Sequence, residues 1–133
     1  MNNYNYFNNF DNNLNNNLFG PYEGYTKGNL FKSLYQQYKN YQPMTLVPNT
    51  EQEEALLNLN QMQFAMHELN LYLDIFPNDT EMLKKFTMYR NNYNKLLLEY
   101  EEKYEAININ SNEINNTPFE WSTTPWPWNR RDL

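Results

Sequence analysis

Two rows of apolar side chains at helical spacing, one on each side of Pro77, constrain the fold more than any other feature of the sequence. The first row advances by alternate steps of four and three residues through Ala55, Leu59, Met62, Met66, Leu69 and Leu73. The second row advances in nearly the same way through Met82, Phe86, Tyr89, Tyr93, Leu96, Tyr100 and Tyr104. Such spacing is typical of the contact face of an α-helix. We therefore expect an all-α fold in which an antiparallel αα-hairpin occupies residues 49–106.

The corner of this hairpin is predicted by Pro77. Proline lacks a backbone N–H and disfavours a helical conformation at the residue before it, so the first helix should end near Asp74 or Ile75. Asn78 is then placed to cap the second helix. Polar side chains close to the corner should lock the two helices together. The residues expected in this lock are Asn70 and Asp74, bonded to Tyr89 or Arg90, together with Pro77 and Asn78.

Apolar residues outside the two rows exceed what the single inner face of a hairpin can bury. They are Leu57, Phe64 and Leu71 on the first helix and Leu83, Leu97 and Leu98 on the second. Burial of one such side chain is worth roughly 1.5–3 kcal/mol. We expect the hairpin to dock through Leu57, Phe64 and Leu71 onto one of three surfaces: residues 28–41, a second copy of the chain, or a partner protein.

The first 48 residues divide into an arm and a helical segment. Residues 1–19 consist mainly of Asn with Tyr, Phe and Leu, which predicts a disordered arm. Within residues 20–48, apolar side chains recur at three- and four-residue steps between 28 and 41, which predicts a short amphipathic helix. A helix of about three turns is not stable alone, so it should lie on the hairpin or on another chain. Thr50, followed by Glu53, predicts a capping box at the start of the first long helix.

All three Trp residues lie near the C-terminus, in residues 107–133, which otherwise read as a loop and a tail. Alternating Pro and Trp favours an extended ribbon with large flat side chains on two sides. The ribbon either folds back onto the hairpin or binds another protein, since aromatic anchors dominate many interfaces. The residues expected to bind a partner here are Trp121, Pro125, Trp126, Pro127 and Trp128.

Composition excludes several classes of function. The net charge is −6 without a basic stripe, which argues against a nucleic-acid partner. No window approaches 18 apolar residues, so no membrane span is expected, and the absence of a signal-peptide pattern predicts synthesis in the cytoplasm. With no Cys and a single His, His67, the chain lacks the ligands of an ordinary metal site. No catalytic triad or phosphate-binding loop is present, so we expect neither an enzyme nor a cofactor.

Two motifs in a fixed order carry a family resemblance. The first begins at Phe64-Ala65, continues from Glu68 to Asp74 and ends at Pro77-Asn78-Asp79; the second combines Trp121 with the Pro-Trp run at 125–128. Tyr100-Glu101 and Tyr104 lie between them. Through these residues, the segment from about 52 to 129 resembles the CotJB family of spore coat proteins. The segment from about 26 to 41 resembles the CotJA family, and His67 lies outside the CotJB pattern.

This resemblance implies a location in the bacterial spore coat and a role as a structural and assembly protein. It also implies partners among other coat proteins, namely a manganese-catalase-like CotJC protein and a CotJA-like protein. The residues themselves indicate only that a partner or a homo-oligomer is needed. An accessory factor that modulates the oligomer or the activity of that metalloenzyme is the alternative hypothesis.

Overall fold

The computed structural model describes residues 17–123 and shows an all-α protein, as the apolar rows predict. Its helices are α1 (Pro21–Lys27), α2 (Glu51–Ile75), α3 (Thr80–Lys103) and α4 (Glu120–Thr123). Two 3₁₀ turns, at Lys32–Leu34 and Asn112–Asn115, complete the regular structure of this range. The described residues contain no strand, and an isolated antiparallel bridge joins Leu18 to Phe31. They divide into two compact units, one ending at Leu96 and the other beginning at Leu97.

Helix α2 begins and ends where the sequence predicts. The Thr50 hydroxyl accepts a hydrogen bond from the backbone N–H of Glu53 at 3.1 Å, which satisfies one of the free donors of the first turn. The Glu53 carboxylate in turn accepts the backbone N–H of Asn49 at 2.6 Å. At its other end the helix stops at Ile75, two residues before Pro77. The proline therefore terminates α2 as expected.

The start of α3 corrects the sequence prediction by one residue. Asp79, rather than Asn78, caps the helix, because its Oδ1 accepts the backbone N–H of Met82 at 3.2 Å and its carbonyl accepts that of Leu83 at 3.0 Å. The backbone N–H of Asp79 donates to the carbonyl of Phe76 at 3.2 Å, so the corner is a tight turn. Asn78 is part of that turn and is exposed, so it does not cap the helix. The cap consequently moves to the next polar residue.

The two apolar rows form the inner face of the hairpin. Met62, Ala65 and Leu69 of α2 belong to the same buried cluster as Met82 and Tyr89 of α3. Further row members are partly buried against this cluster: Met66, Leu73, Phe86, Tyr93 and Leu96. Ala65 lies outside the predicted rows, and it is fully buried beside them. The periodicity therefore identifies the packing face of both helices.

The segment from residue 17 to residue 34 lies on the hairpin, and its helix is not where the sequence predicts. The short helix is α1, which packs against α2, whereas residues 35–41 are not helical. Gly28 ends α1 with φ at 75°, a left-handed conformation that favours glycine, and Pro21 suits its first turn. The helix predicted from the apolar spacing at 28–41 is therefore wrong. Gly28 ends α1, and Phe31 forms a bridge to Leu18 instead of belonging to an α-helix.

Leu18 and Phe19 correct the prediction of a disordered arm for the residues next to α1. The backbone N–H of Phe19 donates to the carbonyl of Leu30 at 2.9 Å, and both Leu18 and Phe19 are buried. Leu30 itself is fully buried, and its N–H donates to Glu68 Oε2 on α2 at 3.4 Å. The remainder of the predicted arm, residues 1–16, lies outside the described residues.

The second unit is held by carboxylates that bind backbone N–H groups. Glu101 Oε2 accepts the N–H of Ile107 at 2.9 Å, and Glu120 Oε1 accepts that of Ala106 at the same distance. Ile114, in the 3₁₀ turn at Asn112–Asn115, is buried, and that turn packs against α4. The region after α3 that reads as a loop therefore has a defined path up to residue 123.

Candidate functional site

The six apolar residues outside the rows do not form one exposed surface, contrary to expectation. Leu57 is buried, and Phe64 and Leu97 are partly buried. The ring of Phe64 contacts that of Tyr25 from α1 edge-on, with centroids 6.1 Å apart. The N-terminal segment therefore covers part of the surface that the sequence assigns to docking. The members of the set that remain exposed are Leu71, Leu83 and Leu98.

Four exposed apolar side chains lie near the corner of the hairpin, and together we call them the hairpin tip. Its members and their exposed fractions are Leu71 (50%), Ile75 (73%), Phe76 (52%) and Leu83 (48%). With a rise of 1.5 Å per residue, all four lie within about 6 Å of the helix ends that meet at the corner. Ile75, Phe76 and Leu83 are not in the predicted binding set. They were missed because helical spacing assigns residues to faces and does not show which end of a hairpin is left uncovered.

The polar lock at the corner exists, but different residues form it. Tyr72 donates its hydroxyl to Asp79 Oδ2 at 2.7 Å, and its ring stacks on Phe31 at 5.4 Å and lies against Phe76 at 4.8 Å. This hydrogen bond raises the pKa of Tyr72 and is the main cause that lowers the pKa of Asp79, to which the backbone N–H of Met82 adds. Tyr72 thus joins the N-terminal segment, the end of α2 and the cap of α3.

Asn70 and Asp74 do not form the predicted lock. Both side chains are exposed, and within residues 17–123 neither makes a side-chain hydrogen bond to Tyr89 or Arg90. The sequence signal was present in Tyr72 and Asp79, which are seven residues apart on opposite sides of Pro77. Helical spacing could not reveal it, because the pair spans a turn of irregular backbone.

A groove of about 870 Å³ runs between α2 and α3 on the first unit, with Tyr25 of α1 at its edge. Its floor is apolar and partly buried, and consists of Phe64, Met66, Phe86 and Tyr93. Its rim is polar and consists of Asn60, Gln63, His67, Asn70, Arg90 and Asn94. None of the described residues that line it is a carboxylate, although residues 49–106 carry eleven acidic and five basic residues.

Arg90 and His67 are basic side chains that line this groove. Both are exposed, and neither has an ion pair within the described range. In that same part of the chain, no group of three or more His, Cys, Asp or Glu side chains is arranged to hold a metal ion. The side chains that line the groove with His67 are mainly amides and aromatic rings.

The C-terminal binding residues are described only in part. Trp121 lies on α4 with 40% of its surface exposed, next to Phe119, which is more exposed. Glu120, between them, holds the turn through its bond to Ala106. Pro125, Trp126, Pro127 and Trp128 lie outside the described residues, so their part in binding stays a prediction.

Comparison with known protein families identifies the chain. The family model described as "CotJB protein" matches residues 53–129, a range that contains α3, the corner, the Trp-Pro motif and all of α2 except its first two residues. The chain belongs to the CotJB family. This membership places it in the spore coat, and confirms the resemblance carried by the corner motif and the Trp-Pro motif. The match does not include residues 26–41, so the CotJA-like segment stays a prediction.

No curated protein and no solved structure matches the chain. Among the helices of the described residues, none is both long enough and apolar enough to cross a membrane. The hairpin tip, the corner lock and the groove residues of α2 and α3 lie within the range matched by the CotJB family, whereas Tyr25 of the groove lies outside it.

Proposed function

We propose that this CotJB protein is a structural and assembly component of the spore coat that binds other coat proteins, in particular a manganese-catalase-like CotJC protein. In this role the hairpin is a packing module that holds a partner in the coat. Membership of the family supports the coat location. The family resemblance and the surfaces that the fold leaves uncovered support the choice of this partner.

The observation that carries the proposal is the exposed hairpin tip. Leu71 and Ile75 are one helical turn apart on α2, and Phe76 follows them at the corner. Complete burial of a fully exposed side chain of this kind is worth roughly 1.5–3 kcal/mol, and a partner could remove the part that is still exposed here from water. The tip is held in shape by the Tyr72–Asp79 bond directly beside it. A preformed apolar surface of this kind is typical of a binding site, since ordering it on binding costs little.

Size-exclusion chromatography with light scattering tests the proposal on the full chain, alone and mixed with a CotJC-like protein. We expect a stable complex with the wild-type chain and a weaker one when Leu71→Ser and Leu83→Ser are combined. Leu34→Ser is the matched control, because Leu34 is 69% exposed and is not a member of the tip. A wild-type chain that forms no complex contradicts the proposal.

The same mixture separates a scaffold from an accessory factor. A scaffold changes where the CotJC-like protein is held and leaves its peroxide turnover per metal site unchanged. An accessory factor changes turnover or the size of the enzyme's oligomer. Catalase activity measured with and without an excess of this chain therefore distinguishes the two functions.

A further inference from the structure

The groove between α2 and α3 is as long as a short helix. On α2, the polar rim residues Asn60, Gln63, His67 and Asn70 advance by three, four and three residues. On α3, Phe86, Arg90 and Tyr93 advance by four and three residues. Each helix therefore contributes one straight row of side chains, here called a wall, and on α3 the wall includes the floor residues Phe86 and Tyr93. From Asn60 to Asn70 the wall is about 15 Å long, which equals the length of a helix of about three turns.

The chemistry of the groove defines the polarity of its occupant. The floor is formed by Phe64, Met66, Phe86 and Tyr93, which are partly buried against the core and offer apolar surface to a further element. The rim offers amide groups, which donate and accept hydrogen bonds, and the guanidinium of Arg90. Among residues 17–123 no acidic side chain lines the groove, so the fixed charge that these residues place there is positive. A carboxylate is the complementary group.

We propose that this groove receives an amphipathic helix of a partner protein, with its apolar stripe on the floor and an Asp or Glu side chain against Arg90. Two antiparallel helices with an open groove are completed by a third helix, which packs its ridges between the two walls. An extended peptide has no sheet edge to pair with in the described residues, since these contain no strand. The inference rests on the proposed function in that the partner belongs to the coat.

The test uses two synthetic helical peptides of about three turns, constrained by a hydrocarbon staple so that length and helicity are equal. Both carry leucines along one face; one carries glutamates beside them and the other carries lysines. Binding to the full-length chain is measured by fluorescence anisotropy, and the site is located by NMR of the side-chain amides of Asn60, Asn70 and Asn94. We expect the glutamate peptide to bind at least about tenfold more tightly than the lysine peptide.

Charge reversal at the rim supplies the matched variants. Arg90→Glu should weaken binding of the glutamate peptide by about tenfold or more, because a like charge replaces the complementary one. Lys95→Glu makes the same charge change on an exposed residue of α3 that does not line the groove, and should alter affinity by less than about twofold. Circular dichroism checks that both variants keep the helical content of the wild type.

Three results would overturn the inference: equal affinity for the two peptides, equal loss of binding in the two variants, or amide shifts confined to residues outside the groove. Shifts of the groove amides that grow with the concentration of the chain alone would assign the groove to a second copy instead, and also overturn it. The complex with the CotJC-like protein gives an independent outcome. If that complex forms and Arg90→Glu leaves it intact, the groove inference fails and the proposed function stands.

Discussion

At the scale of single residues, Tyr72 joins three parts of the first unit. Its hydroxyl binds the cap of α3, and its ring lies between Phe31 of the N-terminal segment and Phe76 at the corner. A Tyr→Phe change at this position removes the hydrogen bond and keeps the ring contacts. It therefore separates the polar contribution of the side chain from its packing.

Tyr72→Phe should raise the pKa of Asp79 toward its ordinary value of 3.8. Since the pKa of Asp79 is lowered in the folded chain, its contribution to stability is present above pH 3.8 and is lost as the pH falls through the folded value. The variant should consequently begin to unfold at a higher pH on the acid side. Carboxyl NMR titration and acid unfolding followed by circular dichroism measure both effects.

Tyr38→Phe is the matched control, because Tyr38 is almost fully exposed. It should leave the pKa of Asp79 unchanged. On the alkaline side the sign is reversed: the pKa of Tyr72 is raised, so its contribution is complete below pH 10.0 and is lost as the pH rises through the folded value. An unchanged pKa of Asp79 in the Tyr72→Phe variant would show that the lock does not operate in solution.

A second prediction concerns Gln61, a polar residue in the buried face of α2. Its side chain is 1% exposed, and its Nε2 has no hydrogen-bond partner among the residues that the structure describes. A buried unsatisfied donor costs about 1–3 kcal/mol. Gln61→Met keeps the length of the side chain and removes the donor, so the free energy of unfolding in urea should increase by about that amount. Gln63→Met, at an exposed position, should change it by less than about 0.5 kcal/mol, and a destabilised Gln61→Met variant would contradict the argument.

At the scale of elements, the N-terminal segment packs on α2, which also packs against α3. Leu30 is fully buried. Its carbonyl accepts the backbone N–H of Phe19, and its own N–H donates to Glu68 on α2. Leu30→Ala should therefore lower the free energy of unfolding by about 2–5 kcal/mol, the cost of truncating a buried leucine. It should also speed hydrogen exchange at the amide of Phe19, since that amide donates to Leu30.

Leu34→Ala is the control for this element, because Leu34 lies four residues further on and is mostly exposed. Urea unfolding should show a change of less than about 0.5 kcal/mol for this variant. Equal effects of the two substitutions would mean that the segment does not pack on α2 through Leu30.

At the scale of the whole molecule, the net charge and the exposed apolar surface have opposite effects on association between copies of the chain. The net charge of −6 at pH 7 keeps copies apart, while the hairpin tip favours contact between them. The isoelectric point is about 4.7. As the pH falls from 7 toward this value the repulsion disappears, so light scattering should show growing assemblies. The combined Leu71→Ser and Leu83→Ser variant should assemble less at the same pH, and a wild-type chain that stays monodisperse near its isoelectric point would contradict this expectation.

The sequence by itself determined the hairpin and its family. The rows at steps of four and three, the cap at Thr50 and the break at Pro77 are local signals, because each depends on residues within one or two turns of each other. Local signals of this kind predicted both long helices and the end of α2 at Ile75. The motifs around the corner and the C-terminal Trp residues indicated the CotJB family for the same reason, since they are read along the chain.

Only the tertiary structure decided which segment covers each apolar surface. The sequence left open whether Phe64 meets the N-terminal segment or another chain, and it placed that segment's helix after Gly28 instead of before it. The bonds that settle these points join residues far apart in the sequence, as Leu30 does with Glu68, or residues across a turn, as Tyr72 does with Asp79. Burial and hydrogen bonding between distant segments depend on the position of every element at once, and periodicity along one helix carries no information about its neighbours.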